Sequence, residues 1–310
     1  MSALADHADD YLRLRRALGF KLTQPGQMLP QFVAWLDAAD ITTVTVEAAL
    51  AWVRLSEGAQ PVTLSHQLGA VRGFARYLQT IDPATEIPPA GIFGKQQRRA
   101  PYVYSGEEIT RLLHAARQLR PPLRARTYET LFGLLATTGL RIGEALRLTR
   151  KEVDLADGLI RIRHTKFDRD RLVPLHRSVT DTLGDYTARR DRLCPPDRAA
   201  TFFVSSRGTA LRYNAVNAAF HTLLASAGLP TATGPRPRIH GLRHSFAVHT
   251  LIGWQREGID VASQLPVLST YLGHVSPAST YWYLSAVPEL MQLAAARLDD
   301  HAARTSGADS

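Results

Sequence analysis

Apolar residues in the first 80 or so positions recur at helical spacing. Tyr11, Leu14 and Leu18 form one stripe that stops at Gly19, Phe32 and Leu36 begin a second, and Val46, Leu50 and Val53 make a third. Leu64, Leu68, Val71, Ala75 and Leu78 keep a 4-3-4-3 rhythm, so residues 1–82 read as a small all-helical domain. The rhythm fails between 83 and 102, where prolines and glycines cluster around the basic run Lys95, Arg98, Arg99. Such a stretch reads as a semi-extended linker between two domains.

A second domain is expected over 103–301. Ser105-Gly-Glu-Glu supplies a capping box before Ile109, Leu112 and Leu113. A helix from about Thr127 to Thr137 then buries Leu131 and Leu135 and stops at Gly139, and LRIGEALRL starts the next, with Ile142 and Leu146 inward. The period then drops to two. Gly158 to His164 alternates apolar with basic residues, and Arg171 to His176 returns extended, which predicts a β-hairpin or the edge of a small sheet with Lys166 at its tip. Helices follow around 177–190, 213–227, from His240 onward and near 267–272, and the last start at Pro277, behind Ser276, and at Pro288. The fold class is therefore mainly α with a small β element in the second domain, and 302–310 is a polar tail.

Composition narrows the class. The chain has 310 residues, 45% of them hydrophobic, enough for two ordinary cores. No apolar run approaches the roughly 20 residues that cross a bilayer, and the N-terminus lacks the apolar centre of a signal peptide, so a cytoplasmic protein is expected. The lone Cys194 rules out an internal disulfide and a cysteine-built zinc site. The formal net charge of +9, carried mostly by arginine, favours a polyanion such as nucleic acid. Arginine-rich composition from a GC-rich coding sequence gives the same charge without that meaning. Arg72 and Arg76, one turn apart beside the apolar stripe of their helix, either reach phosphates or stay solvated.

Chemistry gathers late in the chain. His240 and Arg243 stand three apart at a helix start and share a face, and the proline-rich segment before them leaves that helix end open to an anion. Arg141 and Arg243 together can grip the non-bridging oxygens of a phosphodiester, and Lys166 can protonate a leaving oxygen. The rival route through two metal ions needs clustered carboxylates that the sequence does not place, and Glu144, three after Arg141, reads as that arginine's support. A zinc reading of His240 and His244 lacks the glutamate of HExxH. No metal and no cofactor are expected.

The order Arg141, Lys166, His240-x-x-Arg243, Leu-Gly-His274 and Tyr283 resembles the tyrosine recombinase, or phage integrase, family, whose arginine and nucleophile boxes are similar to TGLRIGEAL, HGLRHSFA and LGH followed by Thr280-x-x-Tyr283. The resemblance implies a two-domain C-shaped clamp on double-stranded DNA, with an N-terminal core-binding domain. It further implies a site-specific recombinase or integrase that cuts and rejoins DNA without metal or ATP. Tyr283 would attack a phosphodiester to give a 3′-phosphotyrosine, with Arg141 and Arg243 on the phosphate, Lys166 as general acid, His240 assisting at the phenol, His274 on the phosphate and Glu144 behind Arg141. Lys95, Arg98 and Arg99, with Arg72 and Arg76, are candidate DNA contacts. Four protomers, alike or mixed with related recombinases, would assemble on two sites, with the Pro288–Leu298 segment either docking on a neighbour or packing locally as a helix.

The approach to LGH and the YWYLSAVPEL ending are similar to recombinases of mobile elements. A type IB topoisomerase shares the phosphotyrosine step, and a catalytically silent DNA-binding protein would share the charge. Within ASTYWYL, Tyr281 and Tyr283 fall about 200° apart around a helix axis. Only one of the two can face a phosphate, and Tyr281 with Trp282 is expected to pack.

Overall fold

The computed structural model of the chain describes residues 2–56, 58–94, 100–163, 170–194, 199–229, 236–274, 276 and 278–286. It divides into two compact units, Met1–Arg98 and Arg99–Ser310.

The first unit is helical: α1 (Ala3–Ala17), α2 (Pro25–Ala38), α3 (Val46–Arg54) and α4 (Pro61–Leu78). Side-chain oxygens of Ser2 and Thr45 cap α1 and α3, and proline opens α2 and α4, where a missing N–H costs nothing. Phe32, Leu36, Val53, Leu68, Val71, Ala75 and Leu78 are buried in one core, as their spacing predicts. The stripe expected on α1 is corrected. Leu14 and Leu18 are exposed, and the buried face is Leu4, Ala8, Tyr11 and Leu12, a wider i, i+4, i+7, i+8 stripe that matches a helix packed on two neighbours.

The stretch after α4, read above as the start of a linker, lies against this bundle as far as it is described. Glu86 donates its N–H to the Val44 carbonyl and accepts from the Val46 N–H through Oε2, each at 2.8 Å. Ile87 and Phe93 cover the core. Arg72 Nε and Nη2 donate to the carbonyls of Pro88 and Pro89, both at 2.7 Å.

The second unit runs α5 (Gly106–Arg117), α6 (Pro122–Thr138), α7 (Ile142–Arg147), β1 (Val153–Asp154), β2 (Leu159–Ile162), β3 (Arg171–Pro174), α8 (Arg177–Leu193), α9 (Tyr213–Ser226), α10 (Ile239–Arg256), α11 (Val261–Leu272) and α12 (Ala278–Ala286). The Ser105 capping box is formed, with Glu108 answering the Ser105 N–H. The strands make an antiparallel sheet in the order β1-β2-β3, with Ile160 opposite Val173, both fully buried. Two residues of β1 are too few to show a period, which is why the pattern showed only the hairpin.

Helix α6 is central, and its Leu131, Phe132 and Leu135 pack in one core with Leu112, Phe220 and Leu242. Each such side chain is worth roughly 1.5–3 kcal/mol of burial. A second core, formed by Ala247, Val248, Leu251, Leu265, Leu268, Leu272 and Tyr283, binds α12 to α10 and α11. Helix α10 contributes to both cores, Ile239 and Leu242 to the first and Ala247, Val248, Leu251 and Ile252 to the second. Among the described residues no helix is long and apolar enough to cross a membrane.

Candidate active site

The segment TTGLRIGEAL turns the chain sharply. Gly139 ends α6 at φ 62°, and a Cβ there would come within 2.6 Å of Phe246 and 2.9 Å of Leu272, so the tight passage needs a glycine twice over. The reversal places Arg141 at the N-cap of α7. Glu144 accepts the Arg141 backbone N–H through Oε2 at 3.0 Å and its guanidinium through Oε1 at 2.9 Å.

Glu144 has a second cation. Arg171, the first residue of β3, closes a two-pronged pair on it, Nη1 to Oε1 at 3.0 Å and Nη2 to Oε2 at 2.8 Å. Burial by itself would raise the Glu144 carboxyl. The hydrogen bonds and charge of Arg171, then of Arg141, outweigh it and hold the group at about 2.

The C-terminal end of α11 gathers three arginines. Arg171 Nε donates to the Tyr271 carbonyl at 3.0 Å, Arg243 Nη2 to that of Leu272 at 2.6 Å, and Arg141 Nη2 to that of Gly273 at 2.8 Å. Helix-end carbonyls lack partners along the helix and carry the negative end of its dipole, so they are natural acceptors for cations. Arg243 also donates through Nη1 to the Gly139 carbonyl at 2.7 Å. Burial, then the charge of Arg141, brings the Arg243 guanidinium down to about 9, which leaves it charged at neutral pH.

The aromatic residues complete the cluster. Tyr283 is 2% exposed, and its hydroxyl lies 2.8 Å from Nδ1 of His244. His274, just past Gly273, stacks near the Tyr283 ring at 6.4 Å between centroids, and its Nδ1 is held at 2.7 Å by Oγ1 of Thr280, which is fully buried. His240, exposed in the otherwise buried first turn of α10, meets His244 edge to face at 4.6 Å.

Residues 103–289 match the phage integrase family. Over 307 residues the chain is 44% identical to the integrase/recombinase y4rB of Sinorhizobium fredii, covering 96% of this chain and 98% of that protein. The chain belongs to the phage integrase family of tyrosine recombinases. This recombinase is also 30% identical over 288 residues to the tyrosine recombinase XerD of Lacticaseibacillus casei, covering 89% of this chain and 92% of that one. Its fold is that of the Tn1549 transposon integrase solved with circular-intermediate DNA, with a TM-score of 0.66, 15% identity, and 94% and 99% coverage of this chain and that one. XerH bound to palindromic difH gives a TM-score of 0.63, 19% identity, and 83% and 73% coverage.

Of the residues expected from sequence, the recombinase brings Arg141, Glu144, Arg243, His274 and Tyr283 together. Lys166, Lys95, Arg98 and Arg99 lie outside the described residues, as does the Pro288–Leu298 segment. The Tyr283 hydroxyl is hydrogen-bonded to His244, one turn along α10 from His240, for which a role at the phenol was expected. Arg76 is exposed, while Arg72 has two nitrogens on the Pro88 and Pro89 carbonyls, a role in the fold where a DNA contact was considered. The two tyrosines of α12 do lie on opposite sides, but Tyr281 is half exposed and only Trp282 packs.

Arg171, Thr280 and His244 were missed as site residues. Arg171 was detectable: it shares a strand face with buried Val173, where a charge requires a partner.

Proposed function

We propose that the chain is a site-specific DNA recombinase in which Tyr283 is the nucleophile. The observation that carries this is the convergence of Arg141, Arg243, His274 and Tyr283 around the last turn of α11, from stretches of sequence far apart. Two guanidinium groups beside one phenol suit a phosphodiester whose charge rises in a five-coordinate transition state.

In this reading the Tyr283 oxygen forms a bond to phosphorus as the bond to the 5′ oxygen breaks, leaving a 3′-phosphotyrosine and a 5′-hydroxyl. The phenol proton passes first to His244 Nδ1, with exposed His240 beside it, and Lys166 supplies the proton to the 5′ oxygen. His274, its ring fixed by Thr280, and the two arginines hold the phosphate. The 5′-hydroxyl of a partner strand then attacks the phosphotyrosine and restores the phenol, so bond energy is conserved without ATP. The partner is double-stranded DNA at specific sites, joined by four protomers. The XerH and Tn1549 integrase structures, which hold DNA, support that choice of substrate.

A nicked suicide duplex carrying the recombinase's own site tests it. The expected product is a covalent protein–DNA adduct on denaturing gels that disappears when the site is scrambled. Relaxation of any supercoiled plasmid, with no site dependence and no strand exchange, would favour a type IB topoisomerase.

A further inference from the structure

Arg171 has no step in the proposed chemistry, yet its side chain joins Glu144 to the end of α11. Its side chain is 11% exposed. It makes the two-pronged pair with Glu144 and the Nε bond to the Tyr271 carbonyl, and a Cβ on Gly273 would come within 2.9 Å of its Nη1. Glu144 in turn holds Arg141 by main chain and side chain. Arg141 then reaches the Gly273 carbonyl, the residue before His274.

The contacts form a closed ring. Strand β3 is joined through Arg171 to α7 and to the end of α11, and α7 is joined through Arg141 to that same end. Without Arg171, Glu144 keeps two acceptor oxygens and one cation, and its carboxylate is free to rotate toward Arg141 and draw that guanidinium inward. A lysine cannot replace the fork, because one ammonium cannot face both carboxylate oxygens and the Tyr271 carbonyl in fixed directions.

We infer that Arg171 is a positioning residue of the recombination reaction, which acts through Glu144 to hold Arg141 against the scissile phosphate. The inference rests on the proposed role of Arg141. Arg141 balances negative charge on a non-bridging oxygen, so a substrate without that charge makes less demand on it. A methylphosphonate, in which a methyl group replaces one non-bridging oxygen, is such a substrate and is neutral.

The experiment measures the first-order rate of adduct formation on suicide duplexes with either a phosphodiester or a methylphosphonate at the cleavage position. Full-length Arg171→Lys, Arg171→Ala, Arg141→Ala and the Arg141→Ala/Arg171→Ala double variant are compared with the parent. Misplacing a catalytic group by about an ångström costs on the order of 100-fold. Arg171→Lys and Arg171→Ala should therefore lose roughly that factor on the phosphodiester and less than about 10-fold on the methylphosphonate. The double variant should be no slower than Arg141→Ala alone, since both changes remove one function.

Near-UV circular dichroism on each preparation confirms that folded protein is compared, and Arg171→Lys, which keeps the charge beside Glu144, carries the test if Arg171→Ala does not fold. Equal losses on both substrates, or parental rates in both Arg171 variants, would overturn the inference, as would multiplied losses in the double variant. Retained phosphodiester cleavage by Arg141→Ala is a different failure and would remove the role of Arg141 itself.

Discussion

The Tyr283 hydroxyl sits 2.8 Å from Nδ1 of His244, one helical turn along α10 from His240. The phenol donates to that nitrogen when the His244 proton is on Nε2, a geometry that suits the proton transfer of the proposed reaction. His244→Ala should slow adduct formation on the order of 100-fold, the usual scale of a lost general base, and by more than His240→Ala does. Single-turnover rates on the suicide duplex check it, and a larger effect at His240 would return the role to the first histidine of HGLRH.

Thr280 is the second hidden support. Thr280→Val keeps the volume but removes the hydroxyl 2.7 Å from His274 Nδ1. The His274 ring then loses its anchor, and cleavage should fall roughly 10-fold while unfolding changes by about 1 kcal/mol, the net worth of one hydrogen bond. Paired cleavage rates and urea curves would show the split.

The Glu144 carboxyl gives a pH signature. Its folded value of about 2 lies below the ordinary 4.5, so the unfolded chain binds the proton more tightly. The resulting stability is fully present above about pH 4.5 and is lost as pH falls toward 2. Glu144→Gln should be the less stable protein at neutral pH, and the gap between its urea midpoint and that of the parent should narrow as pH drops through that window.

Gly139 joins fold and site. Gly139→Ala requires a left-handed alanine whose Cβ lies 2.6 Å from Phe246. Strain and overpacking together should cost about 2–4 kcal/mol. Its displaced carbonyl would also release Arg243, so a reduced denaturation midpoint should be accompanied by slower cleavage.

The periodicity of the chain was enough to read the helices of the first unit, the hairpin, and the Gly139 stop of α6, because each rests on local spacing and backbone sterics. The ordered set from Arg141 to Tyr283 was equally legible as a motif. Glu144 was legible too, three residues after Arg141, and the strand pattern marked Arg171 as a charge in need of a partner, but which residues the other supports meet was not legible. Arg171 meets Glu144 only because the chain brings β3 to α7, and His244 meets Tyr283 only because α12 shares a core with α10. Those are tertiary facts, and the 3.6 and 2.0 periods do not encode them. The Leu14 and Leu18 stripe failed for a related reason, since a periodic apolar set does not say which neighbours will cover it.

The proposed reaction bonds the Tyr283 oxygen to DNA. The direct measurement is mass spectrometry of the protein–DNA adduct trapped on a suicide duplex, after proteolysis and nuclease trimming, with Tyr283→Phe run in parallel. The expected result is a nucleotide 3′-phosphate on the peptide at Tyr283 and no adduct from Tyr283→Phe. An adduct at Tyr281 or any other residue, or one that persists in Tyr283→Phe, would contradict it.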